Sequence, residues 1–271
     1  MTNQRLVHIH SQLIFSFLFT FSFFLFPFLH GCSTSYNVAT QRQESLLIDT
    51  DREIRMGESV AKQVEKEYTL VRDPELLGRL DRLGQKVSSV SDRKNLFYHF
   101  SIIEDEEPNA FALPGGPIYV TTGLLKILPS DEELASVIAH EVGHVVARHA
   151  VKRIQGAMGL QFLQILAMGT RAADPQTMQG IDIAFASILT GYSQEDELQA
   201  DQLGARYLKK SGLDPLAGIS ALTKIRDYSA KQPLRPRSYF RTHPYFSDRI
   251  RMIHQEAEGH MTFDDYINTQ K

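Results

Sequence analysis

The chain has 271 residues, 42% hydrophobic and 23% charged, with a net charge of −3, which excludes collagenous, low-complexity and wholly disordered classes and, lacking a basic excess, argues for no nucleic acid partner. A single cysteine, Cys32, excludes an intrachain disulfide, so packing or a metal must hold the fold. The composition is uneven: residues 1–31 carry 8 of the 16 Phe and one charge, Arg5, leaving 28 basic and 32 acidic side chains to 240 residues, enough for one large or two small domains.

From Leu13 to Leu29 the chain reads LIFSFLFTFSFFLFPFL, 17 uncharged residues. That is shorter than the roughly 20 residues of a spanning helix and longer than the 7–15 of a signal-peptide core, so length alone leaves anchor and signal peptide both open. Leu29-His30-Gly31-Cys32 resembles a lipobox, in which a small residue precedes a cysteine that is lipidated and becomes the mature N-terminus. That resemblance makes residues 1–31 a lipoprotein signal peptide and Cys32 the membrane attachment point. Several acyl chains anchor stably because each buried methylene contributes about 0.8 kcal/mol. Ser33 rather than Asp follows Cys32, which implies the periplasmic face of an outer membrane; an inner-membrane anchor facing the periplasm is the alternative.

Residues 32–48 are polar and read as a tether. The body spans 49–258, and 259–271 form a C-terminal tail. Ile54, Gly57, Val60, Ala61 and Val64 recur at helical spacing between Asp51 and Tyr68, as do Leu76, Leu77, Leu80, Leu83 and Val87 between Asp73 and Val90. Phe97 to Ile103 alternates and is rich in aromatic and β-branched residues, as a strand is. Asn109 to Thr122 places Pro-Gly-Gly-Pro between two short strands and reads as a hairpin or wide loop. Ser130 opens the next helix as a capping box with Glu133, and this helix is expected to run through Arg148. Two apolar stretches, 160–168 and 181–189, are too short to cross a bilayer and read as buried helices. Ser193 caps a further helix, with Asp196 at its third position, and Pro215 starts another.

Within the Ser130 helix stands His140-Glu141-Val142-Gly143-His144. At 100° per residue its two histidines lie 40° apart around the axis and one turn apart along it, so they can grip one ion. Glu141 sits beside them, able to take a proton from a metal-bound water. A catalytic zinc needs a third protein ligand and one open position. His149 faces about 140° away from His144 on a continuous helix and reads as a solvated or capping histidine. Glu197 and Asp201 lie one turn apart on the Ser193 helix. Glu197 could complete the site, with Asp201 orienting a ligand histidine.

HEVGH at 140–144 followed by ELQAD at 197–201 resembles the zinc metallopeptidases that include HtpX, BepA, LoiP and the CAAX prenyl proteases. The similarity extends to NAFALPGG at 109–116, VTTGLL at 120–125, and Thr242-His243-Pro244 with Arg249. The lipobox makes the periplasmic lipoprotein members the nearest match. This resemblance implies an α+β, predominantly helical, zincin-like fold with a small antiparallel sheet packed on the HExxH helix. It implies one zinc per chain held by His140, His144 and Glu197, with Glu141 as general base. Asn109 and the Phe111-Ala112 backbone would form an edge strand pairing with extended substrate. His243 and Arg249 would approach the metal, stabilising the oxyanion, or His243 would occupy the open metal position and hold the enzyme latent. The expected activity is endopeptidase cleavage of misfolded or stalled envelope proteins; a zinc-latched chaperone or binding protein is the alternative.

Overall fold

A computed structural model describes residues 34–37, 42–46, 48–157, 175–231 and 238–259. The apolar segment 13–29, Cys32, the stretch 160–168 and nearly all of the tail lie outside the described residues. Among those described, no helix is long and apolar enough to cross a membrane. The chain divides into two compact units, residues 1–36 with 43–47, and residues 37–42 with 48–271. Strands β1 (Thr34–Asn37) and β2 (Arg42–Ser45) pair with each other, so the segment expected to be an unpatterned tether contains a short ladder.

The body begins with two amphipathic helices whose ends follow from local chemistry. Helix α1 (Thr50–Glu67) starts where the Asp49 carboxylate accepts the Arg52 amide, and α2 (Pro74–Ser88) where Asp73 accepts the amides of Glu75 and Leu76. Their buried faces carry Met56, Val60 and Val64, and Leu80, Leu83 and Val87. Each such side chain contributes about 1.5–3 kcal/mol when fully buried.

Strands β3 (His99–Ile103), β4 (Ala110–Ala112) and β5 (Pro117–Thr121) form a sheet in the order β3-β5-β4. The expected hairpin is present: β4 pairs antiparallel with β5, Phe111 opposite Tyr119, through a turn in which Gly115 and Gly116 take positive φ. The sheet is mixed, however, not antiparallel, because β3 runs parallel to β5 with Ile102 opposite Val120. After β3 the chain crosses to the far side of the sheet before turning back, so the returning strand β5 lies between and repeats the direction of β3.

Helices α3 (Thr122–Ile127), α4 (Asp131–Val146), α5 (149–157), α6 (Pro175–Ile188), α7 (Gln194–Lys210), α8 (Ala217–Ser229), α9 (Tyr239–Thr242) and α10 (Phe246–Glu258) follow. Helix α4 is buried from Glu133 to Val146 and touches α2, α7, α8 and β4. Two expectations for it need correction. Ser130 makes no side-chain cap, and the Glu133 carboxylate, expected to reach back to it, accepts from Ser220 Oγ at 2.6 Å and Lys224 Nζ at 2.8 Å on α8. Nor is α4 continuous through Arg148. It stops at Val146, and Arg148 takes a left-handed φ of 59° before α5 begins. Its guanidinium holds this conformation, with Nε 2.9 Å from Glu53 Oε2 and Nη2 donating to the Ile48 carbonyl at 2.5 Å.

Candidate metal centre

The site lies where α4 crosses α7 at very short range. A Cβ on Gly143 would stand 2.7 Å from the Ala200 carbonyl oxygen, and one on Gly204 would stand 3.0 Å from the His140 nitrogen. Glycine at both positions lets the two backbones close, and this brings the carboxylates of α7 to the histidines of α4. Helix α7 is set by a complete capping box, Ser193 with Asp196.

His140, His144, Glu197 and His243 are buried and present ligand atoms that all lie within 4.8 Å of one another. Four ligands at about 2.0–2.1 Å from a tetrahedral ion stand about 3.3–3.4 Å apart. Here His140 Nε2 is 2.9 Å from His144 Nε2, 3.5 Å from Glu197 Oε2 and 3.3 Å from His243 Nδ1. Glu197 Oε1 is 3.4 Å from His144 Nε2 and 3.1 Å from His243 Nδ1. The spacing and the donor types, three imidazoles and one carboxylate, fit a zinc-sized ion.

The surrounding charges fit a cation as well. Burial pushes the His144 imidazole well below its ordinary range, leaving it neutral and available as a ligand. Burial alone would raise Glu197, but His243, Arg249, His140 and His144 outweigh it and hold the carboxylate ionised. His140 is lowered by burial and by Arg249, yet Asp201 and Glu197 outweigh both and lift it to about 9, so the pocket favours positive charge at that ring. Glu141 is fully buried, and burial pushes its carboxyl up. Neither of its oxygens has a hydrogen-bond partner, and His243 Nε2 lies 3.5 Å from Oε1.

Asp201 Oδ1 is 2.7 Å from His140 Nδ1, the geometry that fixes a ligand ring. Arg249 Nε and Nη2 donate to the two Asp201 oxygens at 2.7 and 2.9 Å, Nη1 lies 3.2 Å from Glu197 Oε2, and Nη2 donates to the Tyr239 hydroxyl at 3.2 Å. The guanidinium thus holds both carboxylates of α7. Asn109 is also engaged within the fold: its Oδ1 accepts from the Ala110 amide and the Thr242 hydroxyl. Phe111 is buried, its ring stacked on Tyr119. The amide of Thr121 donates to Asn109, and that of Leu113 to Pro117. Alternation along an antiparallel pair therefore turns the backbone groups of Ala110 and Ala112 away from β5. The Ala110 carbonyl lies 3.3 Å from His243 Nε2.

Three residues near the metal donors carried no signal of that kind in the sequence. His149, expected on the surface, is 1% exposed, with Nδ1 2.8 Å from His144 Nδ1. Tyr192 stacks on the His144 ring at 4.1 Å, and Tyr239 packs 4.7 Å from the His243 ring. Tyr192 directly precedes the capping Ser193, and Tyr239 opens the short helix after Ser238, but nothing local announces which way their rings turn.

Comparison with known proteins agrees with this geometry. The chain is 29% identical over 234 residues to the beta-barrel assembly-enhancing protease of Escherichia coli, covering 82% of this chain and 47% of that protein. It is 29% identical over 211 residues to the mitochondrial metalloendopeptidase OMA1 of Schizosaccharomyces pombe, covering 77% and 62%. It is 28% identical over 158 residues to the metalloprotease LoiP of Escherichia coli, covering 57% and 61%. The chain therefore spans about half to three-fifths of the length of these relatives. Residues 74–257, from the start of α2 nearly to the end of α10, match peptidase family M48, and the chain belongs to that family.

Proposed function

We propose that the chain is a zinc endopeptidase of the bacterial cell envelope, tethered through lipidated Cys32 to the periplasmic face of the outer membrane, that cleaves misfolded or stalled envelope proteins. The observation that carries the catalytic reading is the four-donor cluster of His140, His144, Glu197 and His243 with an unpartnered, buried Glu141 beside it. The names of the relatives, all proteases, support it.

His140 and His144 from α4 and Glu197 from α7 would hold the zinc. When bound, the ion supplies Lewis acidity, polarising a carbonyl and lowering the pKa of a coordinated water to about 7. Glu141 takes a proton from the attacking water and passes it to the leaving amine; the burial that raises its carboxyl suits it to both transfers. Asp201 keeps His140 oriented, and Arg249 acts through its charge on Asp201 and Glu197. The outer edge of β4, at Ala112, offers main-chain groups to an extended segment, which favours unfolded chains over particular side chains.

The test uses the full chain in detergent with zinc and casein. Glu141→Gln is expected to keep zinc and lose about 10²–10⁴-fold in turnover; retained cleavage overturns the assignment of Glu141. Mass spectrometry of the mature N-terminus is expected to find a lipidated Cys32, and an intact Met1 overturns the tether.

One observation favours a latent form of the same site. His243 Nδ1 lies close to both His140 Nε2 and Glu197 Oε1, where it would fill the open metal position. If this is a latch, His243→Ala raises casein cleavage; if His243 instead stabilises the oxyanion, the same variant loses activity.

A further inference from the structure

The two ligand histidines of α4 are supported in different ways. His140 leans on Asp201, an arrangement the HExxH and ExxxD spacing already suggests. His144 has no carboxylate behind it. Its Nδ1 is 2.8 Å from His149 Nδ1, and His149 Nε2 is in turn 2.9 Å from Gln199 Oε1 and 3.4 Å from Asp196 Oδ1, both on α7. Both rings are 1% exposed. His149 reaches this place because α4 breaks: at the left-handed Arg148, fastened to Glu53 and Ile48, the chain changes course, and the ring that a continuous helix would carry away meets His144.

We propose that His149 is a positioning residue for the metal ligand His144, relaying its orientation to α7. The direction of each bond follows from the ligand role assigned above, on which this inference rests. If His144 binds through Nε2, its proton sits on Nδ1 and is donated to His149 Nδ1. His149 must then carry its own proton on Nε2, which donates to the amide oxygen of Gln199. Gln199 and Asp196 stand on either side of the ligand Glu197 in the sequence, so the relay joins α4 and α7 a second time beside the ion. A ligand imidazole held in one tautomer and one orientation binds its metal more tightly, and loss of such a partner typically weakens affinity 10–100-fold.

Substitutions at position 149 separate the two arms of the relay, since the side-chain oxygen of Asn takes the place of Nδ1 and the amide of Gln takes the place of Nε2. Zinc affinity of the full chain is measured by chelator competition, and unfolding of the metal-free protein is followed in parallel. His149→Leu and His149→Gln are expected to weaken zinc binding 10–100-fold. His149→Asn, which still accepts from His144, is expected to stay within about threefold. The cobalt-substituted protein provides a second readout: its ligand-field absorption is expected to shift in His149→Leu and to return in His149→Asn. Unchanged affinity and absorption in His149→Leu overturn the proposal. So does equal loss in all three variants, the pattern of a residue that only fills space. A wild-type chain that holds no zinc overturns the metal assignment itself, a result distinct from any ranking of the variants.

Discussion

Glu53 and Glu141 are both buried carboxylates, 1% and 0% exposed, and the fold treats them in opposite ways. Glu53 is surrounded by donors. Arg93 donates to its two oxygens at 2.8 and 2.9 Å, Arg148 Nε lies 2.9 Å away, and the Gly115 amide donates at 3.3 Å. It ties α1, the β4–β5 turn and the end of α4 together. Glu141, five residues before the end of α4, has no hydrogen-bond partner at either oxygen. Burying a charge is costly unless it is paired, so a carboxylate kept for structure is fully satisfied. One left without a hydrogen-bond partner beside four grouped donor side chains marks a candidate site of chemistry.

The contrast can be broken by substitution, and the effects should fall in a definite order. Glu53→Leu leaves Arg93 and Arg148 without their shared counter-charge and is expected to cost about 3–5 kcal/mol in urea unfolding. A loss below about 1 kcal/mol would show the cluster to be no more than a surface pair. Gly143→Ala places a methyl 2.7 Å from the Ala200 oxygen, forcing α4 and α7 apart; about 1–3 kcal/mol of overpacking strain should appear in the same assay, together with weaker zinc binding.

Glu133→Gln tests an intermediate case, a carboxylate at the buried edge of α4. Burial opposes its ionisation, but Lys224 and Ser220 outweigh it and hold its pKa below the ordinary carboxylate value. The folded state then binds fewer protons here than the unfolded chain, so the contribution is full above the unfolded pKa and is lost as pH falls through the folded one. The variant should be about 1 kcal/mol less stable than wild type at pH 7, and the two curves should converge below the carboxylate range. A difference that persists at low pH would mean packing rather than charge. The smallest effect belongs to Glu141→Gln, which removes an unpaired group. Metal-free stability should change by under about 1 kcal/mol, and a larger loss would mean that Glu141 is structurally paired after all.

Much of this architecture is written locally. The caps at Asp49, Asp73 and Ser193, the apolar stripes of α1 and α2, the glycine turn between β4 and β5 and the one-turn spacing of His140 and His144 follow from the chemistry of neighbouring residues and from the periods of helix and strand. These determined where elements begin, which faces are buried and that two imidazoles share one side of α4. Glu197 as their partner was legible only through the pairing of two motifs 57 positions apart.

What the tertiary structure alone decided are the competitions between distant groups. Glu133 had a local partner in Ser130 and took Ser220 and Lys224 instead, because α8 presents a hydroxyl and a cation together. The sheet is mixed because a crossover, which no periodicity records, set β5 between β3 and β4. His149 faces His144 rather than solvent because Glu53, almost a hundred residues earlier, holds Arg148 in a conformation that its own side chain disfavours. Local sequence specifies propensities of a fraction of a kcal/mol per residue, whereas a buried ion pair or hydrogen bond is worth more than that to break, and it is at such contacts that the structure overrules the sequence.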